Sequence, residues 1–267
     1  MTSKLIEKLS PTRTQLSRRD LLGFAARGAA SVLVSQSLLV SCAASGNTVT
    51  DTTSTGTTDG TTTPTTGSST CVLTASLTEG PFFVDEKLNR ADIRPDPTTG
   101  AVSAGIPLAL TFNVSRVANS ACTPLTGAYL DVWHCDSTGT YSDVSGNARK
   151  FLRGYQITDA NGVAAFTSIY PGWYSGRAVH IHFKLRLYAG STKTYEFTSQ
   201  FFFNDTLTDS VYTQSPYSSR GSRDTRNAND GIYNGLSSTD KSGLTLQTSK
   251  TSDGYAGVIN LGVTVAG

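Results

Sequence analysis

His180 and His182 are separated by a single residue, and that spacing is where the chain first suggests chemistry. On a β-strand alternate residues point to one face, so both rings project together, opposite Ile181 and Phe183. Two imidazoles on a rigid strand can serve one metal ion. The same face continues as Lys184 and Arg186, however, and the polar face of an edge strand carries that pattern equally well. Both readings stand at this point. The third and last histidine, His134, shares its parity with Leu130 and Val132, which argues for a buried, hydrogen-bonded ring. A zinc hydrolase would need a third histidine or a carboxylate at a fitting spacing, which the sequence lacks. Two tyrosine-bearing segments lie upstream. One is Trp133-His134-Cys135-Asp136-Ser137-Thr138-Gly139-Thr140-Tyr141-Ser142, the other Tyr170-Pro171-Gly172-Trp173-Tyr174-Ser175-Gly176-Arg177. Any one of these tyrosines, read alone, is a core or turn residue, and Arg177 alone is a surface arginine.

The elements that must hold these residues read as strands. Leu108, Leu110, Phe112 and Val114 alternate with smaller or polar residues. So do Ala128, Leu130 and Val132, then Ile181, Phe183, Leu185 and Leu187, then Ile259, Leu261, Val263 and Val265. Turn signals separate the runs: Asn119-Ser120, Pro124-Leu125-Thr126-Gly127, Asp159-Ala160-Asn161-Gly162 and Ala189-Gly190. Period two with frequent turns and no long 3.6-period stretch predicts an all-β sandwich. Residues 204–254 are polar, with scattered tyrosines, and read as a long ordered loop region over the sandwich.

Ahead of this domain the composition changes twice. Ser17-Arg18-Arg19-Asp20-Leu21-Leu22 is a twin-arginine pattern, and the weakly apolar run from Leu21 to Val40 is interrupted by Arg27 and Gln36. That combination reads as an export signal over residues 1–41, by a route that carries proteins already folded. Leu39-Val40-Ser41-Cys42 fits a lipoprotein cleavage site, which would leave Cys42 acylated and the protein anchored to a membrane surface, periplasmic or at the cell surface. Residues 43–70 hold seventeen serines and threonines, and with Cys42 they read as a disordered tether spanning on the order of 30 Å. Residues 71–267 then form one domain. Loss of residues 1–41 removes six basic and two acidic side chains, so the net charge moves from +2 to −2. The basicity belongs to the leader, and no nucleic-acid partner is implied. Cys122 and Cys135 flank a strand and, at ~3.3 Å per residue, stand beyond the ~7 Å Cα limit for a disulfide. Cys71 therefore pairs with one of them, which one being open.

Taken in order, the tyrosine and histidine segments resemble the intradiol ring-cleavage dioxygenases, the group that includes catechol and protocatechuate dioxygenases. In that family a Trp-His strand runs into a Gly-x-Tyr-Ser loop that supplies one tyrosinate. A Pro-Gly-x-Tyr segment supplies the second, and an Arg-x-x-His-x-His-Phe strand supplies two histidines. The match falls on Tyr141, Tyr174, His180 and His182, and runs from Thr78-Glu79-Gly80-Pro81, near the active-site mouth in the family, to Gln200, where the family keeps a glutamine. The resemblance implies a non-haem Fe(III) ion on those four side chains, with a catechol-type diol and O2 as substrates. It further implies that the catechol displaces Tyr174, which takes up a catechol proton, and that cleavage between the hydroxylated carbons gives a muconate-type diacid. Arg177 would place positive charge against the electron-rich activated ring. The helical dimerisation segment of cytoplasmic catechol dioxygenases has no counterpart in the leader and tether, a pattern compatible with a monomer or a loose assembly. A reading from another class, a surface-anchored β-sandwich binding module, takes the His-x-His strand as a polar face or an adventitious metal patch.

Overall fold

The run with the strictest alternation becomes the centre of strand β1 (Pro107–Ala118), where Leu108, Leu110, Phe112 and Val114 are all buried. This is a computed structural model, and it describes residues 72–265 other than Ser145. The export signal, Cys42, the tether and Cys71 lie outside the described residues. After β1 come β2 (Ala121–Pro124), β3 (Tyr129–Trp133), β4 (Arg153–Ile157), β5 (Val163–Ile169), β6 (His180–Ala189) and β7 (Thr192–Phe202), and the chain closes with β8 (Gln247–Lys250) and β9 (Tyr255–Val263).

Two sheets result. In the first, β1 is the hub: it pairs antiparallel with β2 and β5 along one edge and parallel with β9 along the other, and β8 extends β9. The second runs β4-β3-β6-β7 and is antiparallel throughout. Phe112 of the first sheet meets Phe183 and Phe201 of the second edge-on, at centroid separations of 6.0 and 5.8 Å, and Phe166 of its own sheet at 5.9 Å. Edge-to-face contact suits the ring quadrupoles, and each such ring contributes about 1.5–3 kcal/mol by burial. The core that holds β6 rigid is thus an interdigitated aromatic layer.

β6 is not an edge strand. It lies between β3 and β7, and its polar face is covered by the segment before β1, whose Leu77 and Arg90 N–H groups donate to Thr198 and Tyr155 carbonyls. Lys184 and Arg186 are consequently buried, and each is paired: Lys184 with Glu79 and Glu196, Arg186 with Asp131 and Asp85. Burying unpaired charge would cost several kcal/mol, so these partners are what allow the covering segment to settle there.

Residues 204–254 are more regular than expected. They contain α1 (Asp205–Tyr212), α2 (Gly231–Asn234), α3 (Ser238–Leu244) and two 3-10 turns, Tyr217–Arg220 and Asn227–Asn229. Capping rather than amphipathicity builds the helices. Asn204, Asp230 and Ser237 side chains accept first-turn N–H groups, while only Thr208, Val211 and Leu244 among the helical residues are buried. Cys122 is disulfide-bonded, and Cys135 is a buried free thiol donating to the Gly172 carbonyl at 3.4 Å. Of the two cysteines between which the sequence did not decide, Cys122 is therefore the one in a disulfide.

Candidate active site

Two loops deliver the tyrosines to the face of β6 that carries the histidines. The loop after β3 turns back at Gly139, and the segment after β5 passes directly beneath it, with Gly172 N–H donating to the Asp136 carbonyl at 3.1 Å. A Cβ on Gly172 would stand 2.4 Å from that carbonyl, and one on Gly139, whose φ is +82°, would stand 2.1 Å from the Trp173 carbonyl. Only glycine permits these approaches. The Gly-x-Tyr spacing follows, because each glycine lets backbone meet backbone and the tyrosine two residues on reaches the histidines.

The Nε2 atoms of His180 and His182 are 3.1 Å apart, and the Tyr174 hydroxyl is 3.1 Å from His180 Nε2. The Tyr141 ring stands 5.7 Å from Tyr174 and 6.3 Å from His182 by centroid. Cross-strand neighbours flank His182: Trp133 on β3, whose indole lies flat against the imidazole at 5.0 Å, and Gln200 on β7. Gly80 closes over it, placed so that a Cβ would sit 3.3 Å from His182 Cε1, and Phe82 stacks on Tyr141 at 4.3 Å.

The electrostatics keep the imidazoles unprotonated and the phenols protonated. Burial, reinforced by the positive Arg177, pushes His180 down to about 3. Burial, then His180 and Arg177, holds His182 well below the ordinary histidine range. Nδ1 of His180 donates to the Ala178 carbonyl at 2.6 Å, which leaves the Nε2 lone pair facing the site. Burial raises Tyr141 well above its ordinary value and raises Tyr174 against the opposing Arg177 charge. The buried Tyr141 hydroxyl makes no hydrogen bond of ordinary geometry among the described residues, although Tyr174 lies close enough to act on it. Two donors about 2 Å from one ion and at right angles stand about 3 Å apart, which is the spacing of the two imidazole nitrogens and of the Tyr174–His180 pair. A cation there would favour the ionised form of the phenols beside it and reverse their preference for their protons. Among the described residues no group of three or more His, Cys, Asp or Glu side chains could hold a metal, so an ion here depends on the tyrosines. The residues present fit a hard trivalent ion such as Fe(III).

Beside the donors lies a second layer. Arg177 Nε donates to Asp230 at 2.7 Å and its Nη2 to Gln200 Oε1 at 2.6 Å, while Gln200 Nε2 donates to the Thr78 carbonyl at 2.8 Å. Burial opposes ionisation of Asp230, but hydrogen bonds from Tyr233 N–H, Arg177 and Ala178 N–H outweigh it and hold its carboxyl below the usual range. Asp230 escaped the reading of the sequence, since nothing in the polar stretch around it marks one aspartate above its neighbours.

A family model described as Dioxygenase matches residues 78–216, over half of the chain and spanning every residue of this donor set. The chain belongs to the intradiol ring-cleavage dioxygenases. Among solved structures, the intradiol ring-cleavage dioxygenase of Tetranychus urticae is 29% identical, with a TM-score of 0.62 over 73% of this chain and 95% of that one. The dioxygenase domain of a dioxygenase–carbohydrate-binding fusion from Streptomyces sp. SirexAA-E is 28% identical, with a TM-score of 0.52 over 73% of this chain and 100% of that one. A chlorocatechol 1,2-dioxygenase from Rhodococcus opacus is 29% identical over 133 residues, covering 42% of this chain and 51% of its own length. The chain thus spans about half of that curated relative.

His134 of this dioxygenase lies apart from the donor set. It is buried, with Nδ1 donating to the Cys135 carbonyl at 2.8 Å and Nε2 accepting from the Ser168 hydroxyl at 2.7 Å. Burial pushes it down to about 4 from 6.5. A histidine whose folded value is depressed is neutral in both states above 6.5, and the unfolded chain binds its proton first as pH falls. The metal-free protein should therefore lose stability between about pH 6.5 and 4, His134 supplying about 1.4 kcal/mol per pH unit. Denaturant titrations across that window should give His134→Gln a slope shallower by that amount. An unchanged slope would refute the assignment.

Proposed function

We propose that this domain cleaves a catechol-type aromatic diol with O2 between its two hydroxylated carbons, giving a muconate-type dicarboxylic acid. Tyr141, Tyr174, His180 and His182 would hold a non-haem Fe(III) ion. The observation that carries this reading is the convergence of two neutral imidazoles and two phenols, one of them a buried hydroxyl with no hydrogen bond of ordinary geometry among the described residues. When bound, the ion supplies a Lewis-acidic centre that makes the diol reactive toward dioxygen.

The remaining roles belong to the chain. Buried phenols that hold their protons tightly are strong bases once ionised, so Tyr174, the more exposed of the two, is placed to take a proton from an incoming catechol hydroxyl. Phe82, Trp133 and the Thr78–Pro81 segment line the donor set and keep water from it. Arg177 directs positive charge at the whole cluster, since its field acts on Tyr141, Tyr174, His180 and His182 alike. Gln200 and Asp230 hold that arginine in place.

The deciding measurement is optical. Phenolate bound to Fe(III) has a strong visible charge-transfer band, whereas zinc with its filled d shell has none. The iron-loaded protein should be red to burgundy, its spectrum should shift when catechol is added without oxygen, and admission of oxygen should yield a ring-opened diacid rather than a yellow semialdehyde. A colourless iron-loaded protein would end this reading and leave the binding-module alternative.

A further inference from the structure

We infer that Asp230 is a positioning residue of this site, acting through Arg177, a role that rests on the function proposed above. Its carboxylate is fully buried and divides its work between its two oxygens. Oδ1 accepts from Ile232 N–H at 2.8 Å and Tyr233 N–H at 2.9 Å and so caps α2. Oδ2 accepts from Arg177 Nε at 2.7 Å and from Ala178 N–H at 2.8 Å.

The cap does not explain the residue. Serine or asparagine caps a helix as well as aspartate and brings no charge into a dry site. A buried carboxylate carries a desolvation cost that its backbone N–H donors offset in part, and its one ionic partner among the described residues is Arg177. The guanidinium is thereby held from two sides, by Asp230 at Nε and by Gln200 at Nη2, in a plane it could not keep if either hold were lost. The Ala178 peptide is gripped by the same oxygen, and its carbonyl in turn orients His180. One carboxylate from a polar segment 53 positions further along the chain therefore sets the aim of Arg177.

Asp230→Asn separates the two jobs. Its amide oxygen can keep the cap, while its NH2 faces two donors and cannot replace Oδ2. In the iron-loaded protein the variant should lower kcat by about 10–100-fold and leave KM for catechol little changed. In an Arg177→Ala background the same substitution should cost no more than about threefold, because the group it acts through is gone. A purely structural aspartate would give additive losses in both backgrounds.

A second readout needs neither iron nor turnover. In the metal-free wild type the Arg177 Nε–H should give a sharp, slowly exchanging proton–nitrogen resonance, which Asp230→Asn should abolish without abolishing the fold. Retention of that resonance, or additivity in the kinetic cycle, overturns the inference. Should Asp230→Asn fail to fold, Asp230→Ser, which keeps a capping oxygen, takes its place. Failure of both makes the carboxylate a folding group and overturns the inference as well. Inactivity of the wild type towards catechols would instead remove the proposed function, with the resonance test still standing.

Discussion

Tyr141→Phe is expected to abolish ring cleavage while leaving the metal-free protein at least as stable as before. The opposite signs make the substitution informative. The Tyr141 hydroxyl is buried without a hydrogen bond of ordinary geometry among the described residues, and a polar group in that position costs about 1–3 kcal/mol of desolvation, which the neighbouring Tyr174 hydroxyl offsets only in part. Phenylalanine keeps the ring, its stacking on Phe82 and its edge contact with Tyr174, and removes only the oxygen. Chemical denaturation of the metal-free proteins should therefore show no loss, or a gain of about 1 kcal/mol. Loaded with Fe(III), the variant lacks one of two phenolates and should lose most of its visible band. Its turnover should fall by more than the 10–100-fold usual for groups that support a ligand without being one. Tyr174→Phe should behave differently, because that side chain is the one placed to exchange with substrate. A Tyr141→Phe protein that is destabilised yet active would make the hydroxyl structural and remove it from the donor set.

What the sequence disclosed and what it withheld divide along physical lines. β1, β6 and β9 were readable because one face of each packs into the aromatic layer between the sheets, which imposes a period of two on the residue types. The tyrosine and histidine segments were readable because steric demands tie them to their glycines: Gly139 and Gly172 must lack side chains for the loops to touch, and that requirement fixes a short spacing. Interactions between distant segments left no such trace. Lys184 and Arg186 looked like an exposed polar face because the covering segment that supplies Glu79 and Asp85 comes about a hundred residues earlier. The helices of 204–254 bury too few apolar side chains to create a period, and their signal lay in single capping residues. Asp230 is the sharpest case, since its importance comes from what Oδ2 meets in space and not from its neighbours in sequence.

Arg177→Ala should lower kcat by about 10²–10³, the cost of removing one preorganised charge-stabilising group, while the protein still binds iron and still shifts its spectrum with catechol. Position and field both support this outcome. The guanidinium is held at Nε and Nη2, and Nη1 has no hydrogen-bond partner among the described residues, leaving one end of a fixed fork available to a bound molecule. Its charge already depresses both imidazoles and opposes the rise of both phenols, so negative charge developing beside these four groups would be stabilised without rearrangement. The stability cost should stay near 1–3 kcal/mol, because Asp230 keeps three backbone N–H donors after the arginine is gone. Arg177→Lys separates charge from aim. Lysine restores the positive charge but cannot bond Asp230 and Gln200 in one plane, so its kcat should fall between those of the wild type and the alanine variant. If lysine matches the wild type, position is unimportant and a diffuse field suffices. If alanine turns over at a near-normal rate, the charge of Arg177 has no part in the reaction, and its ion pair with Asp230 serves the fold alone.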